Sequence, residues 1–158
     1  MVAVRNIKNA MESEKVSVGV ELLSVDDLPA AQEFYNSVGY KSGIAPGCDI
    51  AAARIGGEIV GLSMICHENE MLVLRGMQVD PTFQRQGIGR QILERTKELL
   101  SDRECWAIPY DHLENFYGTV GFVRVDEEEA PEFLKERIGG YRQIRPDKEF
   151  VIMKCHGA

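Results

Sequence analysis

A chain of 158 residues, 44% hydrophobic and 27% charged, has the length and apolar content of one ordinary domain with a real core. Its formal net charge of −7 and pI near 5.0 argue against general binding to nucleic acid or to an anionic membrane surface. The same surplus of acid would welcome a cationic substrate, or would simply keep the protein dispersed.

Cys48, Cys66, Cys105 and Cys155 are widely spaced, with no Cys-x-x-Cys and no clustered His, so neither a zinc site nor a redox pair is indicated. Cys66 and Cys105 lie in apolar, strand-like runs and read as buried thiols in a reducing cytosol. No segment has the length and apolarity of a membrane span, and the N-terminus lacks a signal-peptide core, so the expected location is cytoplasmic.

Strands and helices alternate along the chain. Residues 1–16 read as a mobile, polar lead to a single domain over 17–158. Ser17 to Leu23 alternates weakly and suggests a strand; Asp26 or Asp27 then caps a helix with Pro29 in its first turn. That helix turns Leu28, Ala31, Phe34, Tyr35 and Val38 inward and stops at Gly39. Ile50 to Ile55 and Glu58 to Cys66 flank Gly56-Gly57, a pair suited to a primed hairpin turn. Met71 to Val79 is an apolar strand, with Gly76 suited to a bulge or a close approach.

After a turn through Asp80-Pro81, the run Gln84-Arg85-Gln86-Gly87-Ile88-Gly89-Arg90 opens a helix. Ile88, Ile92, Leu93, Thr96, Leu99 and Leu100 form its apolar face. Glu104 to Pro109 gives a fifth strand, Leu113 to Thr119 a short helix, Phe122 to Val125 a sixth strand and Glu149 to Cys155 a seventh. Between the last two, an extra segment over 127–146 carries a helix begun by Pro131. No internal repeat or second domain is visible.

The glycine-punctuated run is suited to a pyrophosphate. The first amides of a helix have no intrahelical partner, the macrodipole adds partial positive charge there, and glycine lets the backbone approach an anion closely. By itself Gly-x-Gly is also compatible with a crowded turn. The dinucleotide fingerprint lacks its third glycine and no Gly-Lys-Ser/Thr follows, so neither Rossmann nor Walker patterns apply.

The whole arrangement resembles the GNAT superfamily of N-acetyltransferases. Gln84-x-x-Gly87-x-Gly89 is similar to its acetyl-CoA loop, Val79-Asp80-Pro81 to its lead-in, and Tyr117-x-x-x-Gly121-Phe122 to its Tyr-x-x-x-Gly-Phe segment. The resemblance covers about residues 17 to 125 well. It implies an α/β fold with a mixed, mostly antiparallel sheet of about six or seven strands, splayed between the fourth and fifth, flanked by about four helices.

It also implies roles. Backbone groups of Met77, Gln78 and Val79 would pair with the pantetheine arm of acetyl-CoA, and a freed amide there would meet the oxyanion of acyl transfer. Amides from Gln84 to Arg90 would hold the pyrophosphate. Tyr117 matches the tyrosine that protonates the departing thiolate, the role favoured here; the alternative is an aromatic packing partner of Phe116 and Phe122. Tyr110 stands where the family often has Asn, so that residue's role is not carried over.

The base is the missing piece. Some members of the family carry a fourth-strand carboxylate, and Val73 stands at the corresponding position. Arg75, its neighbour on the same face, can clamp a substrate carboxylate or join a strand-edge salt bridge. His67 reads as part of a strand-connecting turn, remote from the bulge; Asp111 and His112 end the fifth strand nearer the cleft, with Asp111 also suited to capping a helix. Freeing a lysine-like amine at pH 7 costs about 4.6 kcal/mol against about 1 kcal/mol for an α-amino group, so less basic amines are expected to be favoured.

Tyr40 to Cys48 and the 127–146 insertion would frame the acceptor, with Arg75, Tyr110 and Asp111 as candidate substrate contacts. Arg137, Arg142 and Arg145 make the insertion locally basic, or merely offset Glu132 and Glu136 on a solvated face. The reading is thus an acetyl-CoA-dependent N-acetyltransferase acting on a small-molecule or peptide amine by direct attack in a ternary complex. It needs no metal, nucleic acid or membrane, and a homodimer stays open. The competing reading is a catalytically idle acyl-CoA-binding or interaction module of the same fold.

Overall fold

The computed structural model describes residues 18–156, so the lead over 1–16 and Ser17 lie outside the described residues. Within these residues, seven strands form one sheet in the order β1-β2-β3-β4-β5-β7-β6. Their ranges are Gly19–Leu22, Cys48–Ile55, Glu58–Glu68, Met71–Val79, Glu104–Ala107, Val123–Val125 and Ile152–His156, numbered β1 to β7 along the chain. Every neighbouring pair is antiparallel except β4 and β5.

Among the described residues, four α-helices cover the sheet: α1 (Leu28–Val38), α2 (Ile88–Leu100), α3 (Glu114–Gly118) and α4 (Glu132–Ile144). On one face, Ile88, Ile92, Leu93 and Leu100 of α2 and Tyr117 of α3 pack on β2 to β5 and β7. On the other, Ala31, Phe34 and Tyr35 of α1 cover β2 and β3, while Leu134 and Ile138 of α4 cover Val73, Trp106 and Ile152. Each helix buries the stripe expected of its period.

Local signals explain the elements. Gly56 and Gly57 take φ of 59° and 84°, giving β2 and β3 the two positive-φ residues of a primed turn. Gly39 ends α1 in the left-handed region at φ 77°. At the other end of α1, the cap differs from expectation. Asp27 sits at the N-cap position, but its Oδ2 turns back to accept from Ser24 N–H and Oγ–H, closing a 3₁₀ turn over Val25–Asp27. Pro131 precedes α4, as its fixed φ suits.

The bulge in β4 matters most. Met64 pairs with Arg75 and Leu62 with Gln78, so Gly76 and Met77 together oppose Ser63. This two-against-one count reverses the parity of side chains. Leu72 and Leu74 before it, and Met77 and Val79 after it, therefore reach the α2 face, whereas Val73 and Arg75 point to the α4 side. Gly76 has φ of 65°; its carbonyl accepts from the Tyr35 hydroxyl at 2.8 Å, and a Cβ there would collide with that hydroxyl.

Two expectations need correction. His67 lies inside β3, paired with Leu72, and not in a connecting turn, because the strand runs on to Glu68 before reversing at Asn69 and Glu70. Cys66 is not a free thiol. It faces Cys48 across the β2–β3 ladder and is joined to it as a disulfide, a pairing that register and not sequence spacing creates. Cys105 and Cys155, opposite each other on β5 and β7, remain buried thiols.

Candidate active site

The sheet opens where β4 and β5 part. Their ladder holds only Leu72, Leu74 and the residue between them against Cys105 to Ala107. Beyond it, β4 continues beside β3 to Val79, while the chain after β5 stays with the approach to β7. Pro109 accepts from Val151 N–H at 3.0 Å, Asp111 N–H donates to Glu149, and Tyr110 bridges Phe150. Pro109 itself has no amide to offer β4. Among the described residues, one edge of β4 from Arg75 to Val79 is thus left without a neighbouring strand.

A cavity of about 300 Å³ fills this gap. Gly76, Met77 and Gln78 line it from the strand edge, Ala107 to Tyr110 from β5 and its continuation, and Tyr117 from α3. Tyr40, Ser42, Arg75, Arg137, Tyr141 and Arg145 close its other side. Among the described residues, no Asp, Glu or His side chain lines it. The bulk acidity of the chain therefore says nothing about this cavity, whose own charge is positive.

Tyr117 is 6% exposed and meets Phe116 and Phe122 edge-on, with ring centroids 5.4 and 5.7 Å away. Both readings of this residue meet in one place: the ring is packed, and the residue also lines the cavity. Burial pushes its phenol above the ordinary tyrosine value, so it carries a proton at neutral and mildly alkaline pH.

The predicted anion loop leads into α2. Asp80 Oδ1 accepts from Thr82 N–H to shape the turn, and Gln84 Nε2 donates to the carbonyl of Val79 at 3.0 Å. Arg85 and Gly87 take φ of 64° and 82°, and Gly87 is the N-cap of α2. A Cβ added at Gly87 would meet nothing within 4 Å, so this glycine is needed for its backbone angle and leaves open space outside it. Gly89 is needed for room, because a Cβ there would stand 2.9 Å from Phe116 Cζ. Ile88 is buried in the core, so what it can offer a ligand is its amide. Gln86 and Arg90 are the remaining members of the loop, and Arg90 pairs with Glu94.

The candidate substrate residues divide. Arg75 and Tyr110 line the cavity; Asp111 is exposed, outside the lining, and does not cap the turn that follows, where Tyr110 holds the N-cap position. His112 stacks on Tyr110 but is also exposed. The arginines of the insertion do not offset Glu132 and Glu136. Arg137 grips Glu68 with two bonds, Nη1 to Oε2 at 2.6 Å and Nη2 to Oε1 at 3.1 Å, while Arg142 pairs with Glu127 and Arg145 with Asp147. Burial works against the charge on Arg137, but the Glu68 carboxylate outweighs it and holds the guanidinium protonated. Ser42 and Tyr141 come from the two segments expected to frame the acceptor, though neither was singled out there, and Glu68 carried no sequence signal of a site.

A family model described as an acetyltransferase (GNAT) domain matches residues 44–135. The chain belongs to the GNAT acetyltransferases. This GNAT protein has no match among curated proteins. Solved structures share its fold at low identity. Escherichia coli ElaA is 16% identical with a TM-score of 0.65, the alignment covering 89% of this chain and 100% of that one. The ribosomal-protein-S18-alanine N-acetyltransferase of Escherichia coli is 18% identical, with a TM-score of 0.63 over 90% and 95%. N-acetylglutamate synthase from Neisseria gonorrhoeae, solved with coenzyme A and N-acetyl-glutamate, is 14% identical with a TM-score of 0.65, over 90% of this chain and 36% of that one. The splayed, mostly antiparallel sheet implied by the sequence resemblance is the one observed.

Among the described residues, no group of three or more His, Cys, Asp or Glu side chains could hold a metal ion. No helix there is long and apolar enough to cross a membrane.

Proposed function

We propose that this GNAT protein is an acetyl-CoA-dependent N-acetyltransferase that acetylates a primary amine by direct attack in a ternary complex. The observation that carries the reading is the unpaired edge of β4, running past a bulge into a cavity that also receives Tyr117. Backbone groups left without a strand partner are the natural seat for the amides of a pantetheine arm. The fit of the phosphate end rests on Gly87, with open space outside it at the start of a thirteen-residue helix whose first amides have no partner within the helix.

In this reading the free amine attacks the thioester carbonyl, forming the C–N bond. A backbone amide among Met77 to Val79 donates to the oxygen as it becomes an oxyanion. As the C–S bond breaks, Tyr117 gives its phenolic proton to the thiolate and regains one through water from the nitrogen of the tetrahedral adduct, which sheds it to become the amide. Among the described residues, the cavity lining offers no carboxylate or imidazole to take the first proton, so in this reading the amine arrives unprotonated. Rates should climb with the free-amine fraction.

The test is thiol release from acetyl-CoA in the presence of amines, with the N-acetylated product identified by mass. Equal amounts of thiol and N-acetyl product support the reading. Tight acetyl-CoA binding with no transfer to any amine supports the idle-module alternative instead.

A further inference from the structure

The cavity carries a charge opposite to that of the chain around it. Its ionic lining is Arg75, Arg137 and Arg145, joined by the hydroxyl-bearing Tyr40, Ser42 and Tyr141, in a chain of net charge −7. Arg145 is paired with Asp147, which leaves Arg75 and Arg137. These two share one carboxylate. Glu68 Oε1 accepts from Arg75 Nη1 at 3.1 Å and from Arg137 Nη2 at 3.1 Å, and Glu68 Oε2 accepts from Arg137 Nη1 at 2.6 Å. Two guanidiniums against one carboxylate leave one positive charge uncompensated.

Donors are left over as well. Each guanidinium has five N–H groups, and Glu68 receives three of the ten that this pair offers. Arg75 Nε is buried without a partner among the described residues. A buried donor is normally satisfied, and a guanidinium is matched in shape and charge to a planar pair of oxygens. Arg75 also sits immediately before the bulge, two residues from Met77, roughly 7 Å along an extended strand.

We propose that the acceptor is a small amine bearing a carboxylate, of the amino-acid class, with Arg75 and Arg137 holding the carboxylate while the amine faces the β4 edge at Met77 to Val79. This rests on the acetyl-transfer reading above. The short path from Arg75 to that edge requires amine and carboxylate to lie within a few bonds of each other. Polyamines, which the chain's overall acidity would attract, meet a positive wall in the cavity. The bland alternative is a clasp in which Arg137 of α4 and Arg75 of β4 merely tie the helix to Glu68 at the end of β3.

The test uses the full-length protein, acetyl-CoA, the common L-amino acids, their carboxamides and spermidine, with rates expressed per free amine. We expect at least one amino acid to exceed its carboxamide by about tenfold or more in kcat/KM, the scale of a charge-assisted hydrogen bond. Spermidine should be a poor acceptor. Glu68→Gln removes the competing carboxylate, so it should lower KM for that amino acid several-fold and leave KM for acetyl-CoA unchanged; a clasp predicts an unchanged or raised KM. Arg75→Gln should erase the preference for acid over carboxamide.

Acetylation of carboxamides or spermidine as readily as of amino acids overturns the inference and spares the acetyltransferase reading. Acetyl-CoA binding with transfer to no amine overturns both. Should Arg75→Gln fail to fold, the wild-type panel and Glu68→Gln still decide.

Discussion

On the side of the cleft assigned to acetyl-CoA, the chemistry belongs to the backbone: the freed edge of β4, the left-handed Arg85 and Gly87, and the first amides of α2. On the side that we propose for the acceptor it belongs to side chains, with Glu68, Arg75 and Arg137 drawn from β3, β4 and α4. Backbone sites need glycines and turns at fixed positions, so they leave a pattern in the sequence. Side-chain clusters need only that distant segments meet, and tolerate change wherever the loops do.

The comparison is broken most sharply at Tyr117, which lines the cavity along with residues of both halves. Tyr117→Phe keeps the packing against Phe116 and Phe122 and removes the hydroxyl. We expect kcat to fall roughly a hundredfold, with acetyl-CoA affinity unchanged by calorimetry. A near-normal kcat would reduce this residue to a packing role. Because burial raises its pKa, Tyr117 should not limit the rate on the alkaline side below pH 10.

A smaller effect is expected at Gly87. Asn and Asp both tolerate the left-handed region better than other residues and have nearly the same shape. Comparing Gly87→Asn with Gly87→Asp therefore isolates charge at a position with open space beside it. We expect the Asp variant to bind acetyl-CoA about tenfold more weakly than the Asn variant, with equal melting temperatures. Equal affinities would remove this loop from the phosphate site. Neither variant should alter discrimination among acceptors.

The smallest expected effect concerns stability and lies outside both halves. Burial pushes the Cys105 thiol up to about 12 and Cys155 to about 11, each from an ordinary 9.0. The folded state holds these protons where the unfolded chain releases them. Their contribution is fully present below pH 9 and is lost as pH rises through 11 to 12. Denaturant unfolding at a series of pH values should show Cys105→Ala with a shallower alkaline decline than the wild type, whatever its stability at pH 7. Parallel curves would mean the thiol gains solvent in the folded state.

Much of the fold was legible in the sequence because its cues are local. Gly56-Gly57 set the hairpin, Met71 to Val79 ran the length of β4, and Gly39, Gly87 and Pro131 marked helix ends where the structure has them. Gly76 suggested the bulge, but not that the bulge would flip side-chain parity and send Arg75 to the opposite face from Met77. What failed was set by register over long separations. The Cys48–Cys66 pairing depends on how β2 and β3 align, and His67 belongs to β3 because that strand overruns its apolar stretch. Glu68 is an ordinary acidic residue near a turn until two arginines, one of them 69 residues away, converge on it.

The contrast between the two halves is tested most directly by amide chemical shifts of the isotopically labelled protein titrated with acetyl-CoA alone. A backbone-built site predicts saturable shifts at Met77 to Val79 and at Gln86 to Arg90, with the side-chain Nε–H of Arg75 unmoved until an acceptor is added. Saturation that leaves those eight amides in place, with shifts elsewhere on the sheet, would contradict the placement of the co-substrate and, with it, the division of the cleft.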